Sequence, residues 1–255
     1  MKLQVLDLFS GIGGFSLGLE RSKGDGKYKG FETAAFCEIE EFPRKVLAKH
    51  WPNIPCYGDV RDITSERLAE DGIAVDVVSG GYPCQPFSHA GERRGSEDDR
   101  HLWPEVYRIL DEIRPTWFIG ENVAGHISMG LDQALFDLEA INYTVRAFVI
   151  PACAVNAIHR RDRVWIVAHS DSERQSRPRR SKHPICAKAN ENREEYRTFN
   201  ALRWPTKPAV RGGDDGVSSG LDESRLKALG NAVVPQIPEM IGNAILEAMA
   251  NAGKE

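Results

Sequence analysis

The stretch LQVLDL at residues 3–8, followed by FSGIGG at residues 9–14, decides the fold of this chain. The first run is apolar with β-branched character, which predicts a buried strand, and the glycines of the second run predict a tight turn. The apolar spacing of residues 15–21 then predicts a helix. A strand, a Gly-rich turn and a helix in this order indicate the first unit of an α/β sheet.

The same alternation of strand and helix continues along the chain. Further strands are predicted at 31–36, 75–79 and 117–120, and further helices at 39–50, 103–113 and 131–141. This order predicts a doubly wound, mostly parallel sheet with helices on both faces. Two strand-like runs, 143–150 and 164–168, then follow one another without a helix, which predicts an antiparallel edge. An amphipathic helix is predicted over 237–249.

Length and composition narrow the class of protein. With 255 residues, 41% of them hydrophobic, the chain can form one large α/β domain with a small appendage, which excludes overall disorder. No apolar run reaches the roughly 18 residues of a membrane span, and residues 1–7 lack a signal-peptide pattern, so a cytoplasmic protein is expected. Five cysteines without a CxxC pair favour neither a disulfide framework nor a metal site.

A basic segment interrupts this pattern. Between Asp171 and Arg211 there are eleven Lys or Arg against five Asp or Glu, a net +6, so the rest of a chain of charge −4 carries −10. A solvated loop and a nucleic-acid contact both account for such a segment. Tyr196, Phe199 and Trp204 within it could pack a small core or stack on bases. We interpret the stretch as a small inserted module or a long loop.

The candidate binding residues follow predicted strands, where ligands of an open parallel sheet bind. Glycines 11, 13 and 14 allow close backbone approach after the first strand, and Glu38 ends the second, where a carboxylate suits a ribose diol. A turn that only packs a helix is the alternative. Asp59 follows a third strand and suits an adenine amino group, although a turn or helix-cap aspartate is equally compatible with the sequence.

Two reactive side chains come after the next strands. Cys84 stands between Pro83 and Gln85-Pro86, in a stiff loop that would direct its thiol into the crevice, although a lone cysteine is usually a small buried hydrophobe. Glu121 comes after the fifth strand and would face the same crevice; a surface or capping glutamate is the alternative.

Arg161 and Arg163 precede the strand at 164–168. In an extended segment they would point to one face, because side chains alternate with period two. Two guanidiniums on one face suit phosphate or carbonyl oxygens. A solvent-facing basic edge strand is the alternative.

Taken in order, these elements resemble the DNA cytosine-C5 methyltransferase family, in a compact form with a short target-recognition region. The resemblance rests on DLFSGIGG at 7–14, Glu38, Gly58-Asp59, Pro83-Cys84-Gln85, Glu121-Asn122-Val123, Arg161-x-Arg163 and GNAV at 230–233. It implies a Rossmann-like class I methyltransferase fold. It also implies a discontinuous catalytic domain over 1–169 and 221–255, with a target-recognition module over 170–220.

The resemblance implies the chemistry as well. Cys84 would add to carbon 6 of a flipped-out cytosine, Glu121 would supply a proton to ring N3, and Arg163 with Arg161 would bind the O2 carbonyl. S-adenosylmethionine would be the cofactor, without a metal, held by Phe9, Gly11, Gly13, Gly14, Glu38, Ile39, Asp59, Val60, Pro83, Leu102, Asn231 and Ala232. The expected DNA contacts are Gln85, Ser88, His159, Arg174 and Arg203.

Two departures leave alternatives open. His159 stands where the family has glutamine, so its role is open, and residues 169–224 are short for a target-recognition domain. Methylation of transfer RNA and a catalytically silent DNA-binding relative are the rival hypotheses. The expected partner is double-stranded DNA, with the chain a monomer near the nucleoid of a bacterium or of a phage host; a companion restriction endonuclease is left open.

Overall fold

The computed structural model describes residues 1–83, 102–170 and 223–252. Its strands are β1 (Leu3–Leu8), β2 (Phe31–Cys37), β3 (Cys56–Tyr57), β4 (Val77–Gly80), β5 (Trp117–Val123), β6 (Tyr143–Pro151) and β7 (Asp162–Ser170). They form one sheet in the order β3-β2-β1-β4-β5-β7-β6. Strands β1 to β5 pair in parallel, and β7 runs antiparallel to both β5 and β6.

Helices cover both faces of this sheet. They are α1 (Gly14–Arg21), α2 (Glu41–His50), α3 (Ser65–Glu70), α4 (Trp103–Ile113), α5 (His126–Met129), α6 (Leu131–Ala140), α7 (Glu223–Asn231) and α8 (Gln236–Ala252), with 3-10 turns at Val60–Asp62 and Ala152–Val155. Alternate strand residues point to opposite faces, which gives two apolar cores. One core packs against α3, α4 and α6, and the other against α1 and α8.

The predicted doubly wound sheet with an antiparallel edge is confirmed. Several boundaries differ by a few residues, and one of these changes the site: β5 continues past Gly120 to Val123, so Glu121 belongs to the strand instead of following it. Residues 121–123 pair with residues 163–165 of β7. Polar residues at a strand end look like a loop in the sequence, because the partner strand that pairs with them lies about forty residues further on.

The C-terminal helix α8 packs against α1. Ser22 Oγ donates a hydrogen bond of 3.1 Å to the carbonyl of Glu239, and the backbone N–H of Lys23 donates to Asn243 Oδ1 at 3.0 Å. Glycine is required where the segment before α8 crosses α1, since a Cβ at Gly14 would lie 2.8 Å from the carbonyl oxygen of Val233. The end of the described chain therefore returns to the Gly-rich turn at its beginning. Of the helices in the described ranges, none is both long and apolar enough to span a membrane.

Candidate active site

The Gly-rich turn after β1 is tied to the end of β2. Gly11 and Gly13 have φ of +53° and +84°, which glycine adopts readily, and Phe9 also has a positive φ of +51°. The N–H of Gly11 donates to Oε2 of Glu38 at 2.8 Å, and the N–H of Glu40 donates to Oε1 at 2.7 Å. Each carboxylate oxygen can accept a further hydrogen bond, so Glu38 still suits a ligand hydroxyl.

Beneath this turn lies a buried carboxyl that the sequence reasoning missed. Asp7 is fully buried and accepts hydrogen bonds from Ser16 Oγ at 2.8 Å and Ser79 Oγ at 2.9 Å. Burial raises the pKa of Asp7 to about 7, against the opposing effect of the two serines. Its side chain joins β1, α1 and β4 directly under the turn. The signal available in the sequence was an aspartate in a strand whose other residues, apart from Gln4, are apolar.

Of the other residues expected around the adenosine, some lie at the surface and others are buried in the core. Ile39 is 70% exposed beside Glu38, and Phe9 is half-buried, so both could offer apolar surface to a ring. Val60 is buried in the core, and Leu102 packs against that core. The carboxylate of Asp59 is held by Arg61, whose Nη2 donates to Oδ2 at 2.7 Å while its backbone N–H donates to Oδ1 at 2.9 Å. Asp59 therefore caps the turn that follows β3.

The segment between α7 and α8 closes the same region. Lys227 Nζ lies 2.7 Å from Oε1 of Glu40, which links α7 to the start of α2. Asn231, the last residue of α7, is exposed, and Ala232 is half-buried. The carbonyl of Ala232 accepts a hydrogen bond of 3.1 Å from Nη2 of Arg161. Residues from both ends of the chain thus converge on one edge of the sheet.

Glu121 and Arg163 form an ion pair at this edge, in which Arg163 Nε lies 2.8 Å from Glu121 Oε1. Both side chains are largely buried: 20% of the Arg163 side chain and 13% of the Glu121 side chain are exposed. Burial raises the pKa of Glu121, although the positive charges of Arg163 and Arg161 act in the opposite direction. Arg161 precedes β7 and has a left-handed φ of +40°, so the predicted extended conformation at this residue was wrong. Its guanidinium nevertheless acts on Glu121 while bonding Ala232.

The chain leaving β4 passes against this ion pair. A Cβ at Gly81 would lie 3.2 Å from Oε2 of Glu121, so the missing side chain leaves room for the carboxylate. The carbonyl of Tyr82 accepts a hydrogen bond of 3.0 Å from Nδ2 of Asn122, and Pro83 is half-buried. His159 is exposed in the segment before β7. Five predicted site residues lie outside the described residues: Cys84, Gln85, Ser88, Arg174 and Arg203.

The strand order, with one antiparallel strand inserted next to β5, defines a Rossmann-like class I methyltransferase fold. Residues 3–207 match the model of the C-5 cytosine-specific DNA methylase family. The chain belongs to this family.

Individual relatives agree with this assignment. The type II methyltransferase M.HgiBI of Herpetosiphon aurantiacus is 34% identical over 171 residues, which cover 65% of this chain and 37% of the relative. M.AgeI of Thalassovita gelatinovora is 32% identical over 70% of this chain and 42% of its own length. The chain therefore spans about two fifths of the length of these relatives. A crystal structure of Spodoptera frugiperda DNMT2, 22% identical, shares the fold with a TM-score of 0.56 over 71% of this chain and 54% of its own.

Proposed function

We propose that this protein methylates carbon 5 of cytosine in double-stranded DNA, with S-adenosylmethionine as the methyl donor and Cys84 as the nucleophile. The observation that carries the proposal is the Glu121–Arg163 ion pair, which lies against Gly81, three residues before Cys84. A buried glutamate with a raised pKa and an adjacent guanidinium suit a ring that becomes negatively charged during reaction. The matching family model is that of C-5 cytosine-specific DNA methylases, and M.HgiBI and M.AgeI are type II methyltransferases, which supports DNA as the substrate.

The residues have complementary roles in this proposal. The Cys84 thiolate forms a bond to C6 of cytosine, and the electron pair of the C5=C6 bond moves into the ring toward N3, where Glu121 supplies a proton. C5 would then be nucleophilic and would accept the methyl group from bound S-adenosylmethionine, whose S–CH3 bond breaks to leave S-adenosylhomocysteine. A base would then remove the C5 proton, and the N3 proton would return to Glu121. Expulsion of the thiolate restores the C5=C6 bond. Arg163 holds the O2 carbonyl and stabilises the negative charge that develops during addition.

The cofactor set fits S-adenosylmethionine. Glu38 can accept hydrogen bonds from ribose hydroxyls, Phe9 and Ile39 would border a ring, and the open space beside Gly11 allows a close backbone approach. The space beside Gly13 is filled by the side chain of Trp51. Bound S-adenosylmethionine supplies an electrophilic methyl group on a sulfonium. Asn231 and Ala232, brought to this edge by Arg161, would border the methionine end. Asp59 would contribute to adenine binding only through acceptor capacity that Arg61 leaves unused.

The target cytosine must leave the duplex to reach this site, at a cost of a few kcal/mol. Exposed His159, together with Gln85, Ser88, Arg174 and Arg203, is proposed to contact the DNA, and residues 170–220 to form the target-recognition module. We further propose a monomer that works beside bacterial or phage DNA in the cytoplasm. A companion restriction endonuclease stays a prediction.

Methyl transfer to defined nucleic acids tests the proposal. Purified protein is incubated with radiolabelled S-adenosylmethionine and either unmethylated duplex DNA or transfer RNA, and the labelled nucleoside is identified by chromatography. We expect 5-methyldeoxycytidine from DNA, no transfer by Cys84→Ser, and full transfer by the control Cys153→Ser, which changes an exposed cysteine. Transfer to RNA alone would favour the transfer-RNA hypothesis, and cofactor binding without transfer to either would favour the silent relative.

A further inference from the structure

A buried hydrogen bond joins the ends of the two central strands. Tyr82, two residues beyond β4, and His126, the first residue of α5, are 3% and 5% exposed. The hydroxyl of Tyr82 lies 2.9 Å from Nε2 of His126, and the ring centroids are 5.5 Å apart with their planes nearly perpendicular. Neither residue belongs to the proposed catalytic or cofactor set.

Tyr82 is held from other directions as well. Its carbonyl accepts the hydrogen bond from Asn122 in β5, and its ring packs against Trp103 with a centroid distance of 5.0 Å. Trp103 is itself held by a hydrogen bond of 2.8 Å from Nε1 to Oδ2 of Asp137. Tyr82 is therefore held to β5 through its backbone and to α4 and α5 through its side chain, and α4 is in turn bound to α6.

Tyr82 lies in the chain between the residue that contacts Glu121 and the residue that precedes Cys84, and the proposed reaction needs Glu121 and Cys84 close together. On one side of Tyr82, Gly81 lies against the carboxylate of Glu121. On the other side, Pro83 has its φ restricted by its ring and is followed directly by Cys84. A rotation of residue 82 would move the start of the Cys84 segment relative to Glu121. A nucleophile displaced by about 1 Å can lose roughly 100-fold in rate.

We propose that Tyr82 and His126 are a positioning pair, which sets the exit direction of the chain toward Cys84 relative to the Glu121–Arg163 ion pair. The inference rests on the proposed function, because only a covalent reaction at Cys84 makes this direction important for rate. A pair that served stability alone would leave the rate of the chemical step unchanged once the protein is folded.

Trapping kinetics test the pair. Duplex DNA containing 5-fluorocytosine retains the covalent enzyme, because fluorine blocks the final elimination, so its rate of capture reports on attack and methyl transfer. With DNA and S-adenosylmethionine saturating, we expect Tyr82→Phe and His126→Ala to slow capture roughly 10- to 100-fold. KM for both substrates should stay within about twofold of the wild-type value, because the proposed role of the pair affects the chemical step and not substrate binding. His126→Gln, which can keep a hydrogen bond to the hydroxyl, should recover most of the rate.

Tyr143→Phe is the matched control. Its buried hydroxyl donates a hydrogen bond of 2.6 Å to the carbonyl of Pro115, before the start of β5 and away from the catalytic edge. It should lower Tm about as much as Tyr82→Phe without slowing capture. Capture by Tyr82→Phe and His126→Ala at the wild-type rate would overturn the pair, as would equal slowing by Tyr143→Phe. If Tyr82→Phe does not fold, the capture rates of His126→Ala and His126→Gln are compared instead, and equal rates for these two variants would overturn the pair. Absence of capture by the wild-type protein would instead refute the proposed function.

Discussion

Arg163 Nε lies 2.8 Å from Glu121 Oε1, across the antiparallel pairing of β5 with β7. Two strands from separate parts of the chain thus bring an acid and a cation to one point. Burial raises the pKa of Glu121 while the guanidinium lowers it, so both partners set its protonation. The pair connects the geometry of the sheet edge to the proposed proton transfer.

Replacing Arg163 with Gln should raise the pKa of Glu121 further. The guanidinium of Arg163 favours the ionised carboxylate and so lowers the pKa of Glu121. Without it, only Arg161 opposes the increase in pKa that burial causes. The titration of the Glu121 side-chain carbon, assigned by its absence in Glu121→Gln and followed by 13C NMR, measures this shift. Arg146→Gln, on the exposed part of β6, should leave it unchanged. An unchanged or lower pKa in Arg163→Gln would contradict the assigned cause.

Replacing Glu121 with Gln should lower kcat by roughly 100- to 10,000-fold, because the amide cannot deliver a proton to the ring. In the wild type the rate should fall as pH rises through the pKa of Glu121, since its protonated form is the active one. Steady-state methylation between pH 5 and pH 9 measures both effects. Glu139→Gln, on the exposed part of α6, provides the control. A Glu121→Gln variant with wild-type kcat would remove Glu121 from the mechanism.

Asp7 should make stability depend on pH. Its pKa rises from 3.8 to about 7 on folding, so between these values the folded state retains a proton that the unfolded state has released. Stability relative to Asp7→Asn should therefore fall by roughly 3 kcal/mol between pH 4.5 and pH 7.5, since one pKa unit is about 1.4 kcal/mol and part of the shift lies outside this window. Urea unfolding at pH 4.5 and pH 7.5 measures the difference. A constant difference between the two proteins would show that Asp7 does not titrate in this range.

The packing of the C-terminal segment on α1 can be tested through a methyl group. Gly14→Ala places a Cβ 2.8 Å from the carbonyl oxygen of Val233, so one segment must move, at a cost of about 1 to 3 kcal/mol. The Kd for S-adenosylmethionine should rise, because Asn231 and Ala232 belong to the displaced segment. Gly230→Ala meets nothing within 4 Å and should slightly stabilise α7. Urea unfolding measures the stability of the two variants, and calorimetric titration measures their Kd for S-adenosylmethionine. Equal stability and equal Kd in Gly14→Ala and Gly230→Ala would contradict this packing.

The fold was readable from the sequence because its strongest signals are local. Residues 3–21 carry a strand, a turn and a helix in one continuous pattern. No helix is predicted between the strands at 143–150 and 164–168, and this absence indicates the antiparallel edge. The convergence of Glu38, Glu121 and Arg163 on one edge followed from the general rule that ligands bind at the carboxyl ends of parallel strands.

The remaining features depend on partners that are distant in the sequence. Nothing in residues 159–163 indicated the left-handed φ of Arg161, whose guanidinium bonds the carbonyl of Ala232. Asp59 was assigned to adenine, while its nearest partner is Arg61, two residues away. The Tyr82–His126 hydrogen bond spans forty-four residues and has no periodic signal. Such contacts are set by tertiary packing, which a pattern of apolar residues does not encode.

Covalent capture by DNA containing 5-fluorocytosine is the most direct measurement of the central claim. Wild-type protein, incubated with this duplex and S-adenosylmethionine, should form a complex that survives denaturation, and peptide mass spectrometry should locate the modified nucleotide, with its added methyl group, on Cys84. Cys84→Ser should form none, while Cys153→Ser should form as much as the wild type. A wild-type protein that methylates DNA without a covalent complex, or a complex on another residue, would contradict the assignment of Cys84 as the nucleophile.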